Sequence, residues 1–141
     1  MTISLFQMLY SPSHDFAMVC FGTASTGNAV NDQNSDQCKN VTTTRTLSKI
    51  DLEFFRQIET LTPEEEPVDG GTILDALDVS MDMMERHCQN KKYRKRLFLI
   101  TDGEKASEMK QEKKRQELIS HMKNRDVRLN VITLDFANEL G

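Results

Sequence analysis

The chain has 141 residues, of which 38% are hydrophobic and 28% are charged, and its formal net charge is −4. A chain of this length forms one domain with one core, and this composition excludes a disordered segment or a membrane-embedded protein. The negative charge argues against this segment being the main nucleic-acid surface of its protein, because phosphate contacts need a basic face.

The first two predicted elements are the end of a helix and a strand. Residues 3–9 are mostly apolar and predict a helical end, which Pro12 interrupts. Residues 16–21 form a continuous apolar run that Gly22 closes. Such a run is typical of a strand covered on both faces, as in a parallel sheet. Three cysteines without metal-type spacing predict free thiols in a reducing compartment.

The next part of the chain predicts a loop, an edge strand and a helix. Residues 23–40 are rich in Ser, Asn, Asp and Gly and predict a long surface loop. Residues 41–47 are β-branched and largely polar, which is typical of an exposed edge strand. We predict that Ser48 caps the following helix. Its apolar residues recur at helical spacing: Ile50, Phe54, Ile58 and Leu61.

A second helix begins after an acidic loop, at Gly70-Gly71-Thr72. One stripe of this helix is apolar and predicts the core-facing side. It consists of Ile73, Leu77, Met81, Met84 and Cys88. A second stripe is acidic, and we interpret it as the solvated face of an amphipathic helix rather than as a docking surface. It consists of Asp75, Asp78, Asp82 and Glu85.

The remaining elements begin with a basic connector, which consists of Lys91, Lys92, Arg94, Lys95 and Arg96 around Tyr93. Residues 97–100 predict a buried strand, residues 127–134 predict another strand, and a helix lies between them. The apolar contacts predicted for that helix are Leu118, Ile119 and Met122. The resulting order, β-β-α-α-β-α-β after part of a helix, predicts an α/β layered domain.

Two polar residues lie at positions where ligands bind in α/β domains of this kind. Thr72 opens a helix, and Asp102 follows the strand of residues 97–100. Because the carboxyl ends of parallel strands and the N-termini of their helices share one edge of the sheet, both side chains are predicted there. A hydroxyl and a carboxylate are hard oxygen ligands, which suit magnesium or manganese.

The pairing of Gly-Gly-Thr with Leu97-Phe98-Leu99-Ile100-Thr101-Asp102-Gly103 resembles the von Willebrand factor A (vWA) fold. Residues 15–23, Asp-Phe-Ala-Met-Val-Cys-Phe-Gly-Thr, resemble the second strand of the N-terminal domain of the Ku heterodimer. Residues 74–82, Leu-Asp-Ala-Leu-Asp-Val-Ser-Met-Asp, resemble the large Ku subunit more than the small one. This resemblance implies a three-layer, Rossmann-type open sheet that is mostly parallel with one antiparallel edge strand.

Family members begin with a central strand and an Asp-x-Ser-x-Ser loop, whereas this chain begins in the helix that follows. We therefore expect residues 1–141 to be a single truncated domain whose central first strand is missing. A gap of that kind leaves two strand edges unpaired, which is costly for buried backbone groups. It also removes ligands of the vWA metal site, so that only Thr72 and Asp102 map onto it.

The resemblance implies a nuclear, non-catalytic interaction domain of a Ku large subunit. Its partners would be the small subunit, double-strand DNA ends bound through regions outside this chain, and repair factors, in non-homologous end joining and telomere maintenance. Ku proteins are sometimes labelled ATP-dependent helicase subunits, but the sequence contains no phosphate-binding loop and no catalytic motif. No membrane association is expected.

Two alternatives remain open. The first is a metal-dependent adhesion or assembly vWA domain, in which a bound magnesium ion completes its coordination with a partner's carboxylate; the second is another intracellular vWA scaffold subunit. We interpret Thr72 as a helix cap and Asp102 as a turn residue, and we favour this interpretation over a magnesium site. No cofactor is expected. We interpret the basic connector as a solvated segment that has at most a minor role close to DNA.

Overall fold

Strands and helices alternate along the part of the chain that the computed structural model describes, which is residues 13–62, 64–66, 68–102 and 111–134. The elements are β1 (Asp15–Phe21), α1 (Ala29–Gln33), β2 (Val41–Lys49), α2 (Leu52–Glu59), α3 (Ile73–Cys88), β3 (Lys95–Thr101), α4 (Glu112–Asn124) and β4 (Val127–Thr133). The predicted α/β class is confirmed. The helical end predicted at residues 3–9 lies outside the described residues.

The four strands form two sheets of two strands each. β1 pairs antiparallel with β2, from Asp15 opposite Lys49 to Phe21 opposite Val41. β3 pairs parallel with β4 in unbroken register, from Lys95 opposite Val127 to Thr101 opposite Thr133. The described residues thus contain mixed short sheets, one antiparallel and one parallel. The described strands do not form one continuous sheet, however, and β1 has no parallel neighbour among them of the kind that its apolar run predicts.

Helix α3 packs against both sheets and thereby joins them. Ile73, Leu74, Leu77 and Met81 of α3 form one buried cluster, against which Phe21 of β1 and Leu97 and Leu99 of β3 pack. A second cluster places Val79 of α3 beside Val41 of β2 and Val19 of β1. Since β1 contributes to both clusters and β2 only to the second, β1 is the strand of its sheet that lies towards β3.

Contacts at the C-terminal end of α3 show that β1 and β3 run in the same direction. Oδ2 of Asp15, where β1 begins, lies 2.8 Å from Nε2 of His87 in the last turn of α3. β3 also begins near this end of α3. The ammonium of Lys95, the first residue of β3, donates to the carbonyl of Arg125 (2.9 Å). The side chain of Arg125 in turn contacts α3, because its Nε lies 2.7 Å from Oε1 of Glu85. Both strands therefore run antiparallel to α3 and parallel to each other.

The segment predicted as a long surface loop, residues 23–40, contains the short helix α1 and a buried cluster. Asn28 caps α1, and its buried amide donates to the carbonyls of Cys38 (2.9 Å) and Val41 (2.8 Å). Cys38 is 4% exposed. The loop prediction was wrong here. A polar composition does not reveal that a single side-chain amide, that of Asn28, can hydrogen-bond the carbonyls of a segment that folds back over it.

The predicted cap of α2 was also wrong. β2 continues through Ser48 to Lys49, and Asp51 is the N-cap, whose Oδ1 accepts from the amide of Phe54 (2.9 Å). The β-branched residues before Ser48 extend the strand past the first possible cap. Phe54 is the buried residue of α2 and packs on Phe16 of β1, with ring centroids 6.2 Å apart.

One face of the β3–β4 sheet is exposed, although the sequence predicts a buried strand at residues 97–100. Leu97 and Leu99 pack against the core, whereas Phe98 is 59% and Ile100 is 56% exposed. An apolar run without alternation cannot reveal which of its faces is covered. On α4, Leu118 and Met122 are buried as predicted, while Ile119 is exposed.

Among the described residues, no helix has both the length and the apolar character needed to cross a membrane.

Candidate functional site

The loop before α3 brings the start of that helix against the end of β1 and the start of β2. Gly71 has φ +65°, and a Cβ at this position would lie 2.2 Å from the carbonyl oxygen of Asn40 and 2.4 Å from the amide nitrogen of Gly22. Only glycine allows such an approach, because it has no Cβ and adopts positive φ freely. The Gly-Gly pair thus fixes where Thr72 and the first turn of α3 lie.

Thr72 forms a capping box with Asp75. The Thr72 hydroxyl accepts from the amide of Asp75 (3.1 Å) and donates to Asp75 Oδ2 (2.9 Å), and the same carboxylate oxygen accepts from the amide of Thr72 (3.3 Å). The hydroxyl is therefore engaged both as donor and as acceptor within the first turn of the helix. This arrangement is what the favoured interpretation of Thr72 as a cap requires.

We expect Thr72→Ala to lower the free energy of unfolding by about 1 kcal/mol, because the substitution leaves the amide of Asp75 without its acceptor. Urea unfolding followed by circular dichroism measures the change. Thr72→Ser is the matched control, since it keeps the hydroxyl, and it is expected to retain most of the stability. Equal losses in the two variants would contradict a capping role for the hydroxyl.

Asp75 also bridges α3 to α4. Its Oδ1 lies 2.6 Å from Nζ of Lys114 in the first turn of α4. Burial opposes the charge on Lys114, but the hydrogen bond and the negative charge of Asp75 outweigh it and raise the pKa of the lysine. Thr72, Asp75 and Lys114 therefore form one connected polar cluster at the N-termini of both helices.

Cys38 lies beside this cluster, and its Sγ is 3.9 Å from Oδ2 of Asp78. Burial, together with the negative charges of Asp78 and Asp75, raises the pKa of the Cys38 thiol to about 12. Since the thiolate is the reactive form, Cys38 stays a protonated thiol at neutral pH and does not suit nucleophilic chemistry.

An open groove of about 1100 Å³ surrounds these residues. Its walls come from the end of the α1–β2 loop, the Gly-Gly loop, α3 and α4 as far as His121. Six carboxylates line the groove, against three lysines (Lys39, Lys113 and Lys114). They are Asp36, Asp69, Asp75, Asp78, Glu112 and Glu117. The groove is therefore an acidic, solvent-open surface, which suits a positively charged partner.

The acidic stripe of α3 is not the solvated face that the sequence predicts. Asp75 contacts Lys114, Glu85 contacts His121 (2.9 Å) and Arg125 (2.7 Å), and each of these partners belongs to α4 or its C-cap. All four carboxylates of the stripe are half-buried, and Asp75 and Glu85 form part of the seam between two parallel helices. The earlier interpretation was wrong because the partners lie more than thirty-five residues away in the sequence.

Two of the carboxylates at the far end of α3 make stability depend on pH. The hydrogen bond from Lys49 and contact with His87 lower the pKa of Asp15, and the contacts with His121 and Arg125 lower that of Glu85. A carboxylate whose pKa is lower in the folded state stabilises the fold above its unfolded pKa, and this contribution is lost as pH falls through the folded pKa.

We therefore expect the free energy of unfolding to fall as pH decreases from about 5 to about 3, because the unfolded carboxylates bind protons first. Urea unfolding at several pH values measures this slope. Glu85→Gln is expected to flatten this dependence of stability on pH. At pH 7 the variant is expected to lose at most about 1 kcal/mol of the free energy of unfolding, because the ion-pair cluster is half-exposed. Glu117→Gln, at a largely exposed site in α4, is the control; the same slope in both variants would exclude Glu85 from the linkage.

Thr72 and Asp102 lie at the same end of the layered structure. Asp102 directly follows β3, and β3 ends at the end of the molecule where α3 begins. Within the described ranges, no group of three or more His, Cys, Asp or Glu side chains has an arrangement that could hold a metal ion. Because the hydroxyl of Thr72 is also engaged with Asp75, these residues fit a magnesium ion poorly.

The basic connector lies at the opposite end of the sheet, between the end of α3 and the start of β3. Lys91, Lys92 and Arg94 are exposed. Lys95 is partly buried and donates to the carbonyl of Arg125, while Arg96 is exposed on β3 opposite Arg128 of β4. The structure thus separates the connector from the acidic groove by the length of α3.

Sequence reasoning missed three residues that line the groove: Cys38, Lys114 and His121. Cys38 lies in a segment whose composition is that of a loop, and Lys114 lies in a charged stretch of mixed sign. A weak signal exists for the two α4 residues. Lys114, Leu118 and His121 follow one another at spacings of four and three, which places them on one helical face together with a core leucine.

Comparison with known families matches residues 4–138 to the Ku70/Ku80 N-terminal alpha/beta domain. The chain is 31% identical over 134 residues to "X-ray repair cross-complementing protein 5" of Dictyostelium discoideum, covering 95% of this chain and 16% of that protein. It is 34% identical over 98 residues to the Xenopus laevis protein of the same name, covering 66% and 12%.

A further match, 30% identical over 98 residues, is to "ATP-dependent DNA helicase 2 subunit KU80" of Oryza sativa subsp. japonica, covering 70% of this chain and 14% of that protein. The chain thus spans about one sixth or less of the length of these curated relatives.

Proposed function

Because the chain belongs to the Ku70/Ku80 N-terminal alpha/beta domain family, we propose that it is a non-catalytic interaction domain of a Ku large subunit. The named relatives are large-subunit proteins, and the similarity to the Dictyostelium protein runs through nearly the whole chain. In this proposal, residues 1–141 form one domain.

The wider role follows from the family and concerns parts of the protein beyond this segment. We propose that the protein pairs with the Ku small subunit and binds double-strand DNA ends in the nucleus, in non-homologous end joining and telomere maintenance. Contacts to DNA ends would come mainly from regions outside this chain. The exposed connector residues Lys91, Lys92 and Arg94 give this domain a minor, salt-dependent attraction to phosphate.

We also propose that the domain has a vWA-like fold of three layers, in which the middle layer is one open sheet. The two described sheets are its halves, with β2 as the antiparallel edge strand and the remaining strands parallel. The parallel alignment of β1 and β3 on α3 supports this arrangement. The position between them is the place of the central first strand that the sequence resemblance implies.

The observation that best supports an interaction role is the acidic groove at the N-termini of α3 and α4. It is open, it is lined by twice as many carboxylates as lysines, and its one buried thiol is held protonated. We propose that it docks a positively charged segment of a repair factor. A metal-dependent adhesion site is less well supported, because the Thr72 hydroxyl is engaged by Asp75.

Charge reversal at the rim of the groove tests the proposal. The double variant Asp36→Lys with Glu117→Lys changes two side chains that are 88% and 67% exposed, so the fold is expected to persist. The probe is a fluorescein-labelled decapeptide with four arginines spaced by Gly and Ser, titrated by fluorescence anisotropy. We expect about tenfold weaker binding by the variant, since two favourable charge contacts become repulsive.

The matched control is Glu53→Lys with Glu65→Lys, which changes the net charge equally at exposed positions that do not line the groove. This control is expected to bind the peptide within about threefold of the original chain, because exposed charges beyond a Debye length are largely screened at physiological salt. Equal weakening by both double variants would show that only net charge matters and would exclude the groove as the docking site.

A further inference from the structure

Six exposed cationic side chains near the C-terminal end of α3 form no ion pair with any described residue. Every other described lysine and arginine side chain contacts a carboxylate or donates to a backbone carbonyl. The six come from the basic connector, the last turn of α4 and the start of β4. We call them the basic pole: Lys91, Lys92, Arg94, Arg96, Lys123 and Arg128.

Backbone contacts bring these segments together. Arg96 and Arg128 lie opposite each other in the parallel register of β3 and β4, and neighbouring strands are about 4.8 Å apart. Leu97 packs against the core, so Arg96 lies on the opposite, exposed face of β3. Lys123 lies close to the start of β4, because its carbonyl accepts from the amide of Asp126 (3.2 Å). The cations therefore lie side by side on two strand starts and the turns that flank them.

The local balance of charge is strongly positive, although the whole chain has a net charge of −4. Residues 85–96 and 121–128 contain nine lysines and arginines against two carboxylates. One of these carboxylates, Glu85, is already bound by side chains of α4 and its C-cap. Like charges directly opposite each other in a sheet are destabilising, and the arginine pair of β3 and β4 is such a case. A ligand with several negative charges relieves this repulsion.

The arrangement favours the phosphate backbone of a nucleic-acid duplex over a single strand. A duplex carries one negative charge per about 1.7 Å of its axis, twice the density of one strand. Cations from separate segments can contact this backbone without reading the bases. Single strands are bound largely by stacking of bases on aromatic rings. Tyr93, the aromatic residue of the connector, lies instead beside His87, with ring centroids 6.5 Å apart.

We propose that the basic pole binds the phosphate backbone of a nucleic-acid duplex at an internal position and needs no free end. The inference rests on the minor attraction of the connector to phosphate that is proposed above, and it adds Arg96, Lys123 and Arg128 as contacts. It is independent of the acidic groove, from which the length of α3 separates the basic pole.

The test titrates the full 141-residue chain into a fluorescein-labelled DNA duplex of about two helical turns, whose ends are both closed by loops. Fluorescence anisotropy measures binding. We expect the affinity to fall about hundredfold between about 50 and 200 mM salt, as contacts to about four phosphates require. No binding at about 50 mM salt, or binding only to a duplex with open ends, overturns the proposal.

The double variant Arg96→Gln with Arg128→Gln removes the arginine pair. We expect at least about tenfold weaker binding of the duplex and a shallower dependence on salt, since each lost phosphate contact reduces the slope by about 0.9. The fold is expected to persist because the substitutions remove a repulsion, and circular dichroism checks this.

The matched control is Arg56→Gln with Arg115→Gln, which changes the net charge equally at two arginines that already contact carboxylates. It is expected to bind the duplex within about threefold of the original chain. The proposal is overturned if the control loses as much affinity as the variant of the arginine pair, because the affinity then depends on net charge alone.

A second variant, Lys91→Gln with Lys92→Gln, separates this inference from the proposal on which it rests. We expect it to weaken duplex binding as the arginine variant does. If only the lysine variant binds more weakly, the connector attracts phosphate as proposed above, and the site across both strands is overturned. If neither variant binds more weakly, both proposals fail. The arginine variant is expected to bind the arginine peptide of the groove test within about threefold, which keeps the two surfaces distinguishable.

Two further probes identify the ligand. A labelled decapeptide of glutamates represents an acidic protein segment, and a labelled single strand of the same length as the duplex represents unpaired nucleic acid. Both are expected to bind at least about tenfold more weakly than the duplex, because their charge density is lower or their chain is flexible. Equal or tighter binding of either probe overturns the assignment of a duplex.

Discussion

Gly71→Ala is expected to destabilise the chain by more than about 3 kcal/mol, enough to unfold much of a marginally stable domain. Gly71 has φ +65°, a conformation that costs alanine about 1–2 kcal/mol. Its new Cβ would also lie 2.2 Å from the carbonyl oxygen of Asn40 and 2.4 Å from the amide nitrogen of Gly22. Both are backbone atoms, so relief requires the ends of β1 and β2 to move. Thermal and urea unfolding, followed by circular dichroism, measure the loss.

Gly27→Ala provides the matched control. A Cβ at Gly27 would meet Cγ2 of Thr42 at 3.8 Å, which is ordinary van der Waals contact. We expect this variant to change the free energy of unfolding by no more than about 0.5 kcal/mol. If Gly71→Ala unfolds no more readily than Gly27→Ala, the close packing of the Gly-Gly loop against β1 and β2 is refuted.

Leu74→Ala is expected to cost about 2–5 kcal/mol, the range for emptying a fully buried leucine site. Leu74 is 2% exposed and belongs to the cluster on which both sheets pack. Its removal leaves a cavity between α3 and the two sheets, and the surroundings can relax only partly. Because α3 is the shared floor of the two sheets, amide exchange is expected to accelerate in β1 and in β3 together.

The control for Leu74 is Leu52→Ala at the start of α2. Leu52 is 67% exposed, so its truncation removes little buried surface and is expected to change stability by no more than about 0.5 kcal/mol. Exchange that accelerates in only one sheet of Leu74→Ala would mean that α3 does not join the two sheets mechanically.

The start of α3 is where the sequence predicted the structure most fully. Gly70, Gly71 and Thr72 mark a tight loop and a cap, and the capping box of Thr72 with Asp75 lies within four residues. Signals of this kind are local, so the sequence carries them completely. The free cysteines and a strand at residues 127–134 were also predicted, and the strand is observed at Val127–Thr133. The family resemblance of the whole chain is confirmed by the match over residues 4–138.

The candidate site was predicted only in part. Thr72 and Asp102 lie at the same end of the layered structure, but the acidic groove depends on segments that lie far apart in the sequence. Asp75 meets Lys114 across 39 residues, and Glu85 meets His121 across 36. A helical stripe of carboxylates is the same in the sequence whether it faces water or a neighbouring helix, so its interpretation as a solvated face failed.

The sequence by itself determined the α/β class, the order and type of most elements and the start of α3, because these follow from hydrophobic period and capping within short windows. Its motifs also carried the resemblance to the family. Only the tertiary structure decided which strands pair, which face of the β3–β4 sheet stays exposed and which carboxylates find cationic partners. Strand pairing and ion pairing join groups whose separation along the chain carries no local signal, and their free energies depend on burial, which the packing of α3 against both sheets creates.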